Sequence, residues 1–281
     1  MVDARDYSGP ADLRLMQDLT AECWRLDGPF VIATIGDLPW WMYQHLNKLD
    51  EARVRLWLED GRCVAWGWVE GGLIFMVHPQ HRERLADVLD WAEADAVTAL
   101  EHDTASIEAL RARGYVADES RWFDHMTRSL DDLPEPRVHD GYALRAVRGE
   151  EELLARTESH RAAWEPSRVV PASYRAVMRA WPYRAELDWV AVAPDGTFAA
   201  NYLCWLDEAN RIVELEPVGT HPSHRRRGLA AAVCLAALKA AREAGADTGL
   251  VYPVNGLPAA TLYESIGFRA ISRHLTFRKR D

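Results

Sequence analysis

The sequence predicts an α+β fold laid down twice, as two tandem domains that each place helices against a β-sheet. Three observations predict it. Residues 54–89, "VRLWLEDGRCVAWGWVEGGLIFMVHPQHRERLADVL", give strand, Asp-Gly turn, strand, turn and strand, then His78-Pro79 and a helix. Residues 187–233, "LDWVAVAPDGTFAANYLCWLDEANRIVELEPVGTHPSHRRRGLAAAV", run in the same order to His221-Pro222 and a helix. Further on, "IEALRARGYVADESRWFDHMTRSL" parallels "TLYESIGFRAISRHLTFRKR": a helix ends at a glycine followed by an aromatic residue, and a last strand follows. Between the halves, "DDLPEPRVHDG" has a linker's composition. The expected organisation is a first domain over 1–130, a linker over 131–140 and a second domain over 141–281.

Composition narrows the function. The chain has 281 residues, 48% of them hydrophobic and 27% charged, as a globular protein has. Its formal net charge of -10 argues against a nucleic-acid partner, because neutralising phosphates takes a basic surface. No apolar run approaches the ~20 residues that cross a bilayer, and the N-terminal stretch lacks a secretory core, so a cytoplasmic protein with no membrane contact is expected. Cys23, Cys63, Cys204 and Cys234 are scattered, with neither disulfide nor metal-ligand spacing, so reduced thiols and no metal are expected.

Positive charge concentrates at one place. Arg225, Arg226 and Arg227 run into Gly228, Leu229 and Ala230, after the strand-like "RIVELEPVGT" and at the start of a helix. A helix start leaves amides unpaired and carries partial positive charge, small residues let a diphosphate approach, and arginines add charge-assisted bonds. Pro217 cannot donate within a regular ladder, so its strand is either an edge strand or bulged there.

"VGTHPSHRRRGLA" and "VNGLPAATLYESIGF", in this order and separated by helix and strand, resemble the acyl-CoA signature and the later motif of the GNAT family of acetyltransferases. The resemblance covers about residues 141–280, and the first half echoes it weakly, as in tandem GNAT proteins. It implies a mixed, mostly antiparallel sheet flanked by helices, with acetyl-CoA in a V-shaped gap between two central strands. It places a bulge at Pro217, and sets the amides of Val218, Gly219 and Thr220 along the pantetheine arm. It makes Glu214 the first candidate for the general base and Tyr263 the acid that protonates the leaving thiolate. Glu216, two residues on and on the same strand face, is the second candidate base. Asn255 either caps the following helix or bonds the pantetheine arm. The first two helices of a GNAT domain line the acceptor site, which brings in His160, Trp164 and Tyr174, with Trp205 on the neighbouring strand.

The first half departs from this pattern. Its "HRERLADVL" lacks the glycine, carries Glu83 where phosphates would lie, and sets Leu110 opposite Tyr263. The expected function is transfer of an acetyl group from acetyl-CoA to a primary amine of a small molecule, by direct attack in a ternary complex. The first half then completes the core and walls the cleft. The alternative is a GNAT-fold sensor or scaffold that holds acyl-CoA without turnover.

Overall fold

The computed structural model describes residues 2–280. The first half runs β1 (Val2–Asp6), α1 (Pro10–Asp27), α2 (Asp37–Tyr43), β2 (Arg53–Glu59), β3 (Arg62–Val69), β4 (Leu73–Val77), α3 (Arg84–Ala92), β5 (Ala96–Leu100), α4 (Thr104–Ala112) and β6 (Tyr115–Ser129). The second half repeats this succession as β7 (Ala143–Ala146), α5 (Leu153–Ala163), α6 (Pro171–Arg179), β8 (Asp188–Val192), β9 (Phe198–Asp207), β10 (Ile212–Thr220), α7 (Leu229–Glu243), β11 (Thr248–Val251), α8 (Pro258–Ser265) and β12 (Arg269–Lys279). Residues 131–142 join the halves without strand or helix. No helix among the described residues is long and apolar enough to cross a membrane.

All twelve strands form one sheet, in the order β1-β2-β3-β4-β5-β12-β6-β11-β10-β9-β8-β7. The middle of that order carries the main architectural point. β12, from the second half, lies between β5 and β6 of the first, and β6 lies between β11 and β12 of the second. Each half therefore supplies a strand to the interior of the other. The long antiparallel β6–β12 ladder, from Arg269↔Thr127 to Lys279↔Tyr115, seals the seam. Nothing in the periodicity of either strand distinguishes this interleaving from two separate sheets.

The cores are shared in the same way. Leu13, Met16 and Leu19 of α1 pack with Leu56 and Trp66 of their own half and also with Ile212 and Leu250 of the other. Trp40 of α2 packs with Tyr174, Val177, Leu203 and Trp205 of the second half. At about 25 cal/mol per Å² and roughly 200 Å² for a tryptophan, burying Trp40 contributes on the order of 5 kcal/mol to holding the halves together. Beneath α5 and α6, a fully buried Arg156–Asp188 pair (2.7 Å) is completed by Asn201 Oδ1 at 3.0 Å and the Tyr174 hydroxyl at 2.7 Å.

β10 positions the chemistry. It is a central strand, flanked by β9 and β11. Its ladder with β9 slips between Leu215 and Val218, so a bulge absorbs Glu216 and Pro217 without loss of pairing on either side. With β11 it is registered only from Ile212 to Glu214; beyond that the two strands part.

Candidate active site

At the mouth of the gap between β10 and β11 stands the N-terminus of α7. Gly228 caps it at φ 71°, and Arg226 also adopts a positive φ of 59°. The first intrahelical bond recorded there is Ala232 N–H to Gly228 C=O (3.1 Å), so the preceding amides face outward. Arg225, Arg226 and Arg227 are exposed, and none enters an ion pair among the described residues, although Arg242 at the far end of α7 does. Arg227 instead donates to the Tyr142 hydroxyl (2.5 Å), which pairs with His224 Nδ1 (2.8 Å). In an acidic protein, three arginines without carboxylates beside bare helix amides make an anion cradle. The equivalent turn before α3 differs. The amides of Arg84 and Leu85 donate to the carbonyls of His81 (2.9 Å) and Arg82 (3.1 Å), and Glu83 occupies the cap position. Its amides are spent, and its charge has the wrong sign for phosphate.

Where β10 leaves β11, carboxyl groups gather. Glu214 is only 1% exposed. Burial first, and the nearby Asp37 carboxyl second, push its pKa well above the ordinary carboxylate range. Glu216 is half-buried, and burial together with Asp37 raises it to about 8. Its backbone carbonyl accepts from Trp205 Nε1 at 2.7 Å, which fixes the bulge. Tyr263, on α8, is buried edge-on to Phe268 (5.6 Å between centroids). Burial is again the main cause of its raised pKa, with Cys234, Glu216, Cys204 and Glu214 adding to it. Tyr263 therefore stays protonated and lies within electrostatic reach of both glutamates.

Of the strand residues expected along a cofactor, Val218 and Thr220 are half-buried and Gly219 is buried. A Cβ on Gly219 would stand 2.6 Å from the Ala163 methyl and 3.2 Å from Trp164 Nε1, so only glycine admits the end of α5 this close. Leu229 is buried under the cradle and Ala230 lies half-exposed on it. Asn255 does not cap α8, whose cap position is Leu257. Its Oδ1 accepts from Trp122 N (3.1 Å) and its own N–H donates to Trp122 O (3.0 Å), so it ties the loop before α8 to β6.

The expected acceptor residues separate into two pairs. His160 and Trp164 stack at 6.4 Å; Trp164 is 50% exposed, and His160 is buried with Nδ1 lacking a protein partner. Burial and Arg156 hold His160 neutral, with a pKa near 3. Tyr174 and Trp205 have essentially no surface and belong to the core: Tyr174 is held by Asp188, and Trp205 is pressed against Gly36. They cannot touch an acceptor without unpacking.

Sequence reasoning passed over Thr34, Asp37 and Trp40, which the first half contributes to the site. Thr34 Oγ1 donates to Glu214 Oε2. The backbone N–H of Thr34 donates to Asp37 Oδ2 (2.7 Å), and that of Asp37 donates back to Thr34 Oγ1 (3.3 Å). The available signal was "TIGD": a Thr followed three residues later by an acid, before an apolar run, is a reciprocal capping pattern.

A cavity of about 800 Å³ lies in the first half, where β4 and β5 diverge after a single registered pair, Leu73↔Val97. Phe75, Met76, Leu85 and His102 are among its lining residues. It mirrors the β10–β11 gap but has neither the open amides nor the unpaired arginines. Among the described residues no His, Cys, Asp or Glu cluster is arranged to hold a metal ion.

Comparison with known proteins identifies the architecture. Residues 151–268 match the acetyltransferase (GNAT) family. A mycothiol acetyltransferase from Kineococcus radiotolerans is 30% identical over 212 residues, covering 71% of this chain and 68% of that protein. The chain belongs to the GNAT acetyltransferase family. A second mycothiol acetyltransferase, from Saccharomonospora viridis, is 27% identical over 78% of this chain and 76% of its own length. In fold, this GNAT protein resembles a solved tandem GNAT protein from the clavulanic acid biosynthesis pathway, with TM-score 0.65, 16% identity, and 99% and 98% of the two chains covered. It likewise resembles a GCN5-related N-acetyltransferase from Sphaerobacter thermophilus, with TM-score 0.64, 21% identity and 99% and 95% coverage. The protein is an N-acetyltransferase of tandem GNAT architecture, and GNAT acetyltransferases generally draw their acetyl group from acetyl-CoA.

Proposed function

We propose that the second half binds acetyl-CoA in the β10–β11 gap and passes the acetyl group directly to a primary amine of a small molecule. One observation carries this reading: the bulged strand β10 runs from two carboxyls, buried Glu214 and half-buried Glu216, to an arginine-rich helix N-terminus without carboxylate partners among the described residues. The Gly228 turn, the amides of Leu229 and Ala230, and Arg225, Arg226 and Arg227 suit a diphosphate. The parted edge from Val218 to Thr220 suits an extended amide-bearing arm, which it can pair as a neighbouring strand would.

An ammonium acceptor must lose a proton before it attacks. Once ionised, a raised carboxyl of β10 takes that proton more readily than an ordinary glutamate does, so the rate rises with pH as the carboxyl loses its own proton. Glu216 keeps some surface, whereas Glu214 is buried, so Glu216 is the one an acceptor reaches more easily. The amine nitrogen then bonds to the thioester carbonyl carbon, an amide of the bulge bonds the developing oxyanion, and the C–S bond breaks. Tyr263 gives its phenolic proton to the departing thiolate, and the proton the nitrogen sheds as it becomes the amide restores the phenol; the reference pKa of ~10 exceeds the ~8.5 of a thiol, so Tyr263 holds its proton until the C–S bond breaks. Trp164 and His160 flank the acceptor. Both curated relatives are named for mycothiol, which favours a small polar acceptor over a protein lysine.

The test is Tyr263→Phe, assayed by thiol release with a panel of small amines. kcat is expected to fall by about tenfold or more, with acetyl-CoA affinity nearly intact. A variant with unchanged kcat removes the proposed acid, and a variant that no longer binds acetyl-CoA moves Tyr263 from proton donor to binding residue.

A further inference from the structure

We propose that Asp37, from the first half, is a positioning residue for acetyl transfer: it shares one proton with Glu214 across the junction of the halves and thereby sets the pH at which the β10 carboxyls become basic. This inference rests on the reaction proposed above. Asp37 and Glu214 are both buried and joined through one residue: Thr34 gives its backbone N–H to Asp37 Oδ2 (2.7 Å) and its hydroxyl to Glu214 Oε2, and two carboxyls held this close in the core keep a proton between them. The arrangement around them is fully determined. Thr34 Oγ1 accepts from the amides of Gly36 (3.1 Å) and Asp37 (3.3 Å), which leaves its hydrogen for Glu214. The loop bearing Thr34 and Asp37 is seated on the second half, with Gly36 so close to the Trp205 side chain that no Cβ fits there.

The groups facing the pair are Glu216 on β10, Tyr252 beyond β11, Tyr263 on α8 and Cys204 on β9; among the described residues no arginine, lysine or histidine forms an ion pair with Asp37 or Glu214. Without a cation to offset two negative charges, the shared proton is what makes the site stable at neutral pH. Losing it charges Glu214 and Asp37 together, so the basicity of one is set by the other.

The pair is tested with Asp37→Asn and Thr34→Val. Asparagine keeps the acceptor for Thr34 N–H and offers an N–H to Glu214, so the acidic limb of the kcat/KM profile is expected to move to lower pH by about one unit or more. Valine removes the donor to Glu214, and the limb is expected to move the other way. The KM for acetyl-CoA stays unchanged in both. Infrared pH titration of the unliganded full chain is the readout independent of turnover: in the Glu216→Gln background, which removes the other raised carboxyl, a buried protonated carboxyl band is expected near neutral pH and is lost or shifted to lower pH when Asp37→Asn is added. Absence of that band in the Glu216→Gln background overturns the shared proton. A band with unmoved limbs in both variants overturns the catalytic role of Asp37. Equal loss of rate at every pH does the same, reducing Asp37 to a structural residue. If no amine is acetylated, the reaction proposed above fails while the infrared result still decides the pair.

Discussion

Replacing Glu216 by glutamine is expected to make the protein more stable and slower. The sign follows from linkage. In the unfolded chain this carboxyl ionises near 4.5; in the folded protein burial and Asp37 hold it protonated up to about 8. Between those values the folded state binds the proton that the unfolded state has released, so the group's contribution to stability falls as pH rises from about 4.5 to about 8 and is constant above that. The gap corresponds to roughly 4.8 kcal/mol as an upper limit, at about 1.36 kcal/mol per pH unit. Glu216 is half-buried, so solvent screens part of the penalty and about 2 kcal/mol is the expected gain near pH 8.5. Glutamine keeps the shape of the side chain and cannot ionise. The assay is urea unfolding followed by tryptophan fluorescence at about pH 4.5 and about pH 8.5, with kcat measured alongside. The midpoint gain is expected only at the higher pH, together with a fall in kcat. A variant less stable than the native protein near pH 8.5, or equally stabilised at both pH values, refutes the reasoning.

Two further outcomes follow from the sheet and from the two helix starts. Halves produced separately by cutting within residues 131–140 are each expected to be insoluble or unfolded, because each lacks the strand that fills its interior and exposes an open edge; produced together, they are expected to associate and regain a folded circular-dichroism spectrum. A folded monomeric half would show that the β6–β12 seam is dispensable. Isothermal titration is expected to give one acetyl-CoA per chain, since the turn before α3 has its amides occupied and Glu83 at its cap; two per chain would show that the cavity between β4 and β5 holds the nucleotide by other contacts.

The duplicated order of elements was legible because each element announces itself locally. Asp60-Gly61 and Asp195-Gly196 mark turns, and Gly114 and Gly267 follow helix ends at φ 84° and 97°, where side-chain-bearing residues are strained. The bulge was only half legible: Pro217 alone allows an edge strand or a bulge, and it is the resemblance carried by the flanking motifs that implies the bulge the ladder shows. The interleaving of β6 and β12 was not legible. Both strands alternate in the ordinary way, and pairing partners far apart in the chain leave no mark on either. The carboxyl site was half legible. Glu214 and Glu216 stand beside a recognisable motif, whereas Asp37 lies 177 positions before Glu214 and is joined to it only by the fold. Tyr174 and Trp205 misled because an aromatic side chain suits a cleft or a core equally well by composition. What decides is a polar anchor: Asp188 holds Tyr174, and the Glu216 carbonyl holds Trp205.

The interleaved sheet explains how the halves can differ so much in chemistry while remaining alike in form. The features missing from the first half, a glycine turn and a tyrosine on α4, lie at a helix start and a helix face, where replacement changes what binds but removes no ladder bond. The features it keeps are those the second half cannot do without. β6 fills the place between β11 and β12, α1 covers Ile212 and Leu250, and Trp40 closes the pocket under α5 and α6. The loop from Thr34 to Asp37 reaches the catalytic strand because α1 and α2 are anchored on both halves. A first half that only propped up its neighbour would have no reason to bury a carboxyl beside Glu214. Placing an acid there costs free energy that an apolar residue would not, and the proton it shares is the compensation.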